Sequence, residues 1–131
     1  MKNTTSLLLA CAWVVACTEN QRVVPTRMTD PGTLQAMYQE IYDLVQDRSC
    51  TDPSDCASLP LGSKPCGGPW KYLVYSKPRV HEVELQAKAI QLAVYEQEYN
   101  REYRVMSPCD LAPAADPACV NDECVDLNES P

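Results

Sequence analysis

The sequence predicts a mainly α fold: two antiparallel helices, one of them long, with a disulfide-stapled irregular loop and a short extended segment packed across them. Three observations carry this expectation. Apolar residues recur at helical spacing from Leu34 to Val45, the 28 residues from Arg79 to Met106 contain neither Gly nor Pro, and the stretch between them is crowded with Cys, Pro and Gly.

The first helix opens at Asp30-Pro31. Asp30 is a capping residue and Pro31 takes the first helical position, where a missing N–H removes no bond. Leu34, Met37, Tyr38, Ile41, Leu44 and Val45 form its apolar face, with Gln35, Gln39, Glu40, Asp43 and Gln46 mostly opposite, and the pattern ends near Asp47 or Arg48. From Ser49 to Pro69 there are three cysteines, four prolines and three glycines, which predicts an irregular loop pinned by disulfides.

Trp70 to Ser76 gathers Trp, Tyr, Leu, Val and Tyr between turn signals at Gly67-Gly68-Pro69 and Lys77-Pro78, and reads as a short extended segment. In the long second helix Val83, Ala87, Ile90 and Val94 form one stripe, and Leu85, Ala89, Leu92, Tyr95, Tyr99 and Tyr103 widen it. Ser107-Pro108 stops it. The acidic tail after Cys109 has no period and is expected to be held only by its cysteines.

Residues 1–16 have the layout of a secretory signal peptide: Lys2, an apolar run from Leu7 to Ala16, and a small residue before Cys17. A spanning helix needs about 20 apolar residues, so the run is too short for one. The order Val14-Val15-Ala16-Cys17 resembles the lipobox of bacterial lipoprotein precursors. That resemblance implies acyl chains on Cys17 and a membrane-anchored place in the cell envelope, the outer membrane in a Gram-negative host. Leu8-Leu9-Ala10-Cys11 also fits a lipobox, but cutting there leaves an apolar core shorter than the roughly 7 residues a signal needs. Residues 17–30 then read as a tether and 31–131 as a single disulfide-braced domain. Ordinary secretion after the same cut is the alternative.

After Ala16, 115 residues remain, with 10 basic against 18 acidic side chains and a formal charge of −8. An acidic body without a basic cluster excludes nucleic acid as a partner and electrostatic docking on anionic lipid. Membrane contact would come only from acyl chains on Cys17. Six cysteines remain in the body: Cys50, Cys56, Cys66, Cys109, Cys119 and Cys124. In an oxidising compartment an even set of this kind predicts three disulfides, in any of 15 pairings. No CxxC or Cys/His set at zinc spacing occurs, and no cofactor motif is present.

Lys64-Pro65-Cys66-Gly67-Gly68-Pro69-Trp70-Lys71-Tyr72-Leu73 has the chemistry of a presented loop, with proline on both sides, a stapling cysteine and paired glycines. The segment resembles one found in small cysteine-rich exported bacterial proteins of unknown function, over roughly Cys50 to Ser76. That resemblance implies no activity. Leu61, Lys64, Gly67, Gly68 and Trp70 are the candidate partner contacts.

Other constellations read as structural. The tyrosines Tyr95, Tyr99 and Tyr103, with Tyr38 and Tyr42, suit a helix seam better than a sugar-binding face, since a chain without Phe must use Tyr for bulk. His81 has no nucleophile signature beside it and reads as a surface residue. Glu96, Glu98 and Glu102 alternate with polar residues and read as a solvated helix surface, not a glycosidase pair. Asn121, Asp122, Glu123, Asp126, Asn128 and Glu129 lack the order of a calcium loop. The function expected is therefore non-enzymatic: an anchored interaction or structural module with an envelope protein as partner. An inhibitor of a protease or lysozyme is the alternative, and a small envelope hydrolase the least favoured.

Overall fold

The structure, a computed structural model, describes residues 27–129. The signal segment, Cys17 and most of the expected tether lie outside the described residues. The elements run α1 (Pro31–Leu44), β1 (Cys56–Leu61), β2 (Lys71–Ser76), α2 (Glu82–Tyr103), β3 (Pro117–Val120) and β4 (Glu123–Asp126), with short 3-10 turns at Pro53–Asp55 and Lys77–Arg79.

The fold is mixed α and β, which corrects the mainly α expectation. Two features overturn it. The expected irregular loop contains β1, which pairs antiparallel with β2 in the register Leu59↔Leu73. The tail forms a second antiparallel hairpin, β3–β4, with Cys119↔Cys124 opposite each other. Its turn is Asn121-Asp122, both at positive φ (52° and 62°). A two-residue connection with both residues left-handed matches the twist of the flanking strands, and Asn and Asp tolerate it best after Gly.

Neither two-stranded sheet is stable alone, so packing must supply what pairing does not. Alternate residues of β2 enter different clusters. Tyr75 joins Leu59, Leu61, Ile41, Val45, Leu85, Ala89 and Leu92 on the helix side, while Val74 joins Cys50 and Cys124 on the other. The β1–β2 sheet is thus the middle layer between the helix pair and the β3–β4 hairpin. Disulfides Cys50–Cys119 and Cys56–Cys124 bolt the hairpin on, and Cys66–Cys109 ties the β1–β2 connection to the chain after α2.

The helices are antiparallel and capped as the sequence indicates at α1. The Asp30 carboxylate accepts the Thr33 amide at 2.8 Å, and Pro31 is the first helical residue. The helix stops at Leu44, short of Asp47. At α2 His81 supplies the cap through Nδ1, and Arg104 in the left-handed region (φ 51°) closes the last turn. With 22 residues α2 is shorter than the 28-residue Gly- and Pro-free run because Arg79 is used in the 3-10 turn, His81 is the N-cap and the left-handed Arg104 ends the helix.

The inner face of α2 differs from the expected one. Its buried stripe is Leu85, Ala89, Leu92, Glu96 and Asn100, whereas Val83, Ile90 and Val94 are 72%, 65% and 63% exposed. Two parallel apolar stripes were available on this helix. The helix and sheet it packs against select only one of them.

Candidate functional site

The chain after β1 turns at Gly62, where φ is +74°. A Cβ there would collide with the Tyr38 hydroxyl, with Glu96 Oε2 and with Trp70 Cδ1. Glycine is therefore required both by the left-handed backbone and by close approach. Around it lies a buried polar cluster built from α1, α2 and the β1–β2 connection.

Glu96 is its centre, 6% exposed. Its Oε2 accepts the Ser63 amide at 2.6 Å and the Tyr38 hydroxyl at 2.9 Å, and its Oε1 accepts the Trp70 indole N–H at 3.0 Å. One turn on, Asn100 donates to the Ser63 carbonyl at 2.8 Å. A buried carboxylate is tolerated only when its lone pairs are filled, and here three donors fill them. Burial, then the adjacent Glu96 charge and the bond to it, push the Tyr38 hydroxyl well above the usual tyrosine range. This corrects the reading of Glu96 as part of a solvated surface. Glu98 pairs with Arg101 at 2.6 Å, and Glu102 turns to the N-terminal segment.

The sequence-predicted contact residues divide at this point. Leu61 is fully buried in the core, and Trp70 is half-buried against Glu96. Lys64 is 6% exposed, its ammonium donating to the Asp110 carbonyl at 2.9 Å and lying 3.3 Å from the Asp110 carboxylate. Gly67 and Gly68 are exposed at a tight turn closed by the Gly67 amide on the Lys64 carbonyl, 2.9 Å, and by the Lys64 amide on the Gly68 carbonyl, 2.8 Å. What reaches solvent is the tip Pro65–Gly68. The side chains of Leu61 and Lys64 are buried, while Lys71 is exposed.

A second surface lies beside the cluster, and sequence reasoning did not single it out. Between β1 and α2 runs an open groove of about 430 Å3 lined by Leu59, Pro60, Pro69, Tyr75, Ala89, Ile90 and Ala93, with Ser58, Gly62 and Gln86. Ile90 belongs to both the groove and the exposed stripe of α2. The signal that could have found the buried cluster was positional: Glu96 and Asn100 continue the spacing of Leu85, Ala89 and Leu92, so they are polar residues on a core stripe. No comparable signal marks the groove, because it exists only once β1 stands beside α2.

The other singled-out residues have structural partners. Tyr95 accepts the Asp30 amide at 2.8 Å, Tyr103 donates to the Thr29 carbonyl at 3.2 Å, and Tyr99 stacks on Tyr103 with centroids 4.3 Å apart. The Glu102 carboxylate receives the Met28 and Thr29 amides and the Thr29 hydroxyl, with the hydroxyl bond the largest influence holding it below its ordinary pKa. The Tyr75 hydroxyl donates to Glu82 at 2.7 Å, and burial followed by that bond pushes its pKa up to about 12.

The acidic residues of the tail do not converge: Glu123 pairs with Arg48 at 2.5 Å, and Asp126 accepts the Asp116 and Asn128 amides. Among the described residues the one group at metal-ligand distance is Cys50, Cys56 and Cys124, and all three are in disulfides and offer no thiolate. Nor, among them, is any helix long and apolar enough to cross a membrane. No protein-family model matches the chain, and neither the curated proteins nor the solved structures contain a significant match to it.

Proposed function

We propose that this chain is an exported protein, anchored by acyl chains on Cys17, that acts non-enzymatically by binding an envelope protein. The single observation that carries the interaction reading is the exposed stripe Val83, Ile90 and Val94 on a helix whose inner stripe is already buried. Scattered surface apolar residues need no explanation, but a continuous line beside an apolar groove marks a binding surface. Three disulfides support export, because such bonds persist in oxidising compartments. The Glu96 cluster speaks against catalysis: both oxygens are engaged by donors, and the one His of the chain, His81, caps α2.

Hydrolase inhibition is the second reading, favoured by the exposed, stapled tip Pro65–Gly68. The burial of Lys64 speaks against that residue as the contact. The test has two arms. Cell fractionation of wild type and Cys17→Ser should move the protein from membrane to soluble fraction, with a diacylglyceryl increment on the wild-type mass alone. Identical fractionation would remove the anchor. Inhibition of a trypsin-like or lysozyme panel by the mature protein would favour the second reading.

A further inference from the structure

We infer that the outer face of α2 and the groove beside it form the docking site for a basic amphipathic helix of a partner protein, an inference that rests on the interaction reading above. Val83, Ala87, Ile90 and Val94 follow one another at spacings of four, three and four residues, the repeat by which one helix offers a straight seam to another. The seam is about 16 Å long at 1.5 Å per residue. Ile90 joins it to the groove walled by Pro60, Pro69, Ala89 and Ala93, so seam and groove are one apolar surface.

The shape favours a helix over an added strand. β1 borders the groove, and its Pro60 has no N–H to give a ladder. The charge defines the rest of the occupant. Glu84, Gln91 and Glu98 follow the seam at heptad spacing on its far flank, with Glu98 shared by Arg101. Across residues 27–129 there are 17 acidic against 9 basic side chains, a formal charge of −8. A second copy would bring together two bodies of charge −8 each, and like charge across an interface is unfavourable. Lysines or arginines flanking an apolar stripe complement both parts of the surface.

The test uses the mature, disulfide-intact chain and a labelled three-heptad synthetic peptide with Leu and Ile along one stripe and Lys on its flanks. Fluorescence anisotropy should show saturable binding that Ile90→Asp and Val94→Asp each weaken by about tenfold or more, as truncating a central anchor does. Glu84→Lys with Glu98→Lys should weaken it further, and Leu127→Asp, at an exposed apolar residue elsewhere, should leave it unchanged. A peptide with Glu in place of Lys should not bind. Equal binding by that acidic peptide, undiminished binding to both Asp variants, or an equal loss in Leu127→Asp would overturn the proposal. So would a wild-type dimer in sedimentation that Ile90→Asp dissociates, which would give the face to a second copy. In cells, a photocrosslinker at Ile90 should capture a partner whose crosslinked segment is a basic amphipathic helix. Capture from Gly67 alone would overturn the groove and leave the interaction reading in place, whereas capture from neither would remove both.

Discussion

The indole N–H of Trp70 is donated to the Glu96 carboxylate across 3.0 Å, and this bond fastens the connection between β1 and β2 to the middle of α2. Trp70 is the only tryptophan after residue 16. Its fluorescence therefore reports on the cluster in a chain that starts at Cys17. Glu96→Ala strands three donors, from Tyr38, Ser63 and Trp70, and an unsatisfied buried group costs about 1–3 kcal/mol. Urea unfolding should show a loss of roughly 3 kcal/mol or more, with Glu96→Gln losing less. A fully stable Glu96→Ala would mean that apolar packing alone seats α2.

Gly62 and Gly67 separate backbone strain from crowding. Both have positive φ, 74° and 94°, but a Cβ at Gly67 meets nothing within 4 Å, while one at Gly62 strikes the Tyr38 hydroxyl, Glu96 and Trp70. Gly67→Ala should lose about 1 kcal/mol, the left-handed penalty alone. Gly62→Ala should lose at least about 2 kcal/mol more, since overpacking adds its own cost. Equal losses in paired thermal melts would show that the cluster yields freely.

Peptide mapping of the unreduced protein should recover Cys50–Cys119, Cys56–Cys124 and Cys66–Cys109. Sequence separations of 69, 68 and 43 residues close long loops, for which chain entropy gives about 4 kcal/mol per bridge. Because two bridges hold the β3–β4 hairpin and one holds the Pro65–Gly68 tip, replacing Cys66 and Cys109 by Ser should leave the hairpin amides protected from exchange. Loss of that protection would show that the layers fold as one unit.

Acid should release the N-terminal segment from α2. The Glu102 carboxylate, bonded to Thr29 and Met28, is held below its ordinary value of 4.5. A carboxylate with a depressed folded pKa contributes stability that is full above the unfolded value and lost as pH falls through the folded one. Protection of the Met28 and Thr29 amides, relative to their intrinsic exchange rates at each pH, should therefore fall only below about pH 4.5. Glu102→Gln should abolish this pH dependence. Protection that does not change with pH in the wild type would show that the tyrosines hold the segment unaided.

Two helices, the capping of α1 by Asp30 and the six-cysteine framework were determined by the sequence alone, because capping chemistry, 3.6-residue periodicity and cysteine number act locally or by composition. β2 was legible as the extended segment Trp70 to Ser76, but β1, β3 and β4 were not. β1 offers only Leu59 and Leu61 around Pro60, and the strands of the C-terminal hairpin are four residues each, too short for alternation to rise above the surrounding Cys, Pro and Asp. They exist because β2 and two disulfides hold them, which are contacts between residues far apart in the chain. Tertiary structure also decided which stripe of α2 faces inward. Leu85, Ala89 and Leu92 are no more apolar than Val83, Ile90 and Val94, and only the position of α1 and β1 buries the first set, draws Glu96 and Asn100 in behind it and leaves the second set in water.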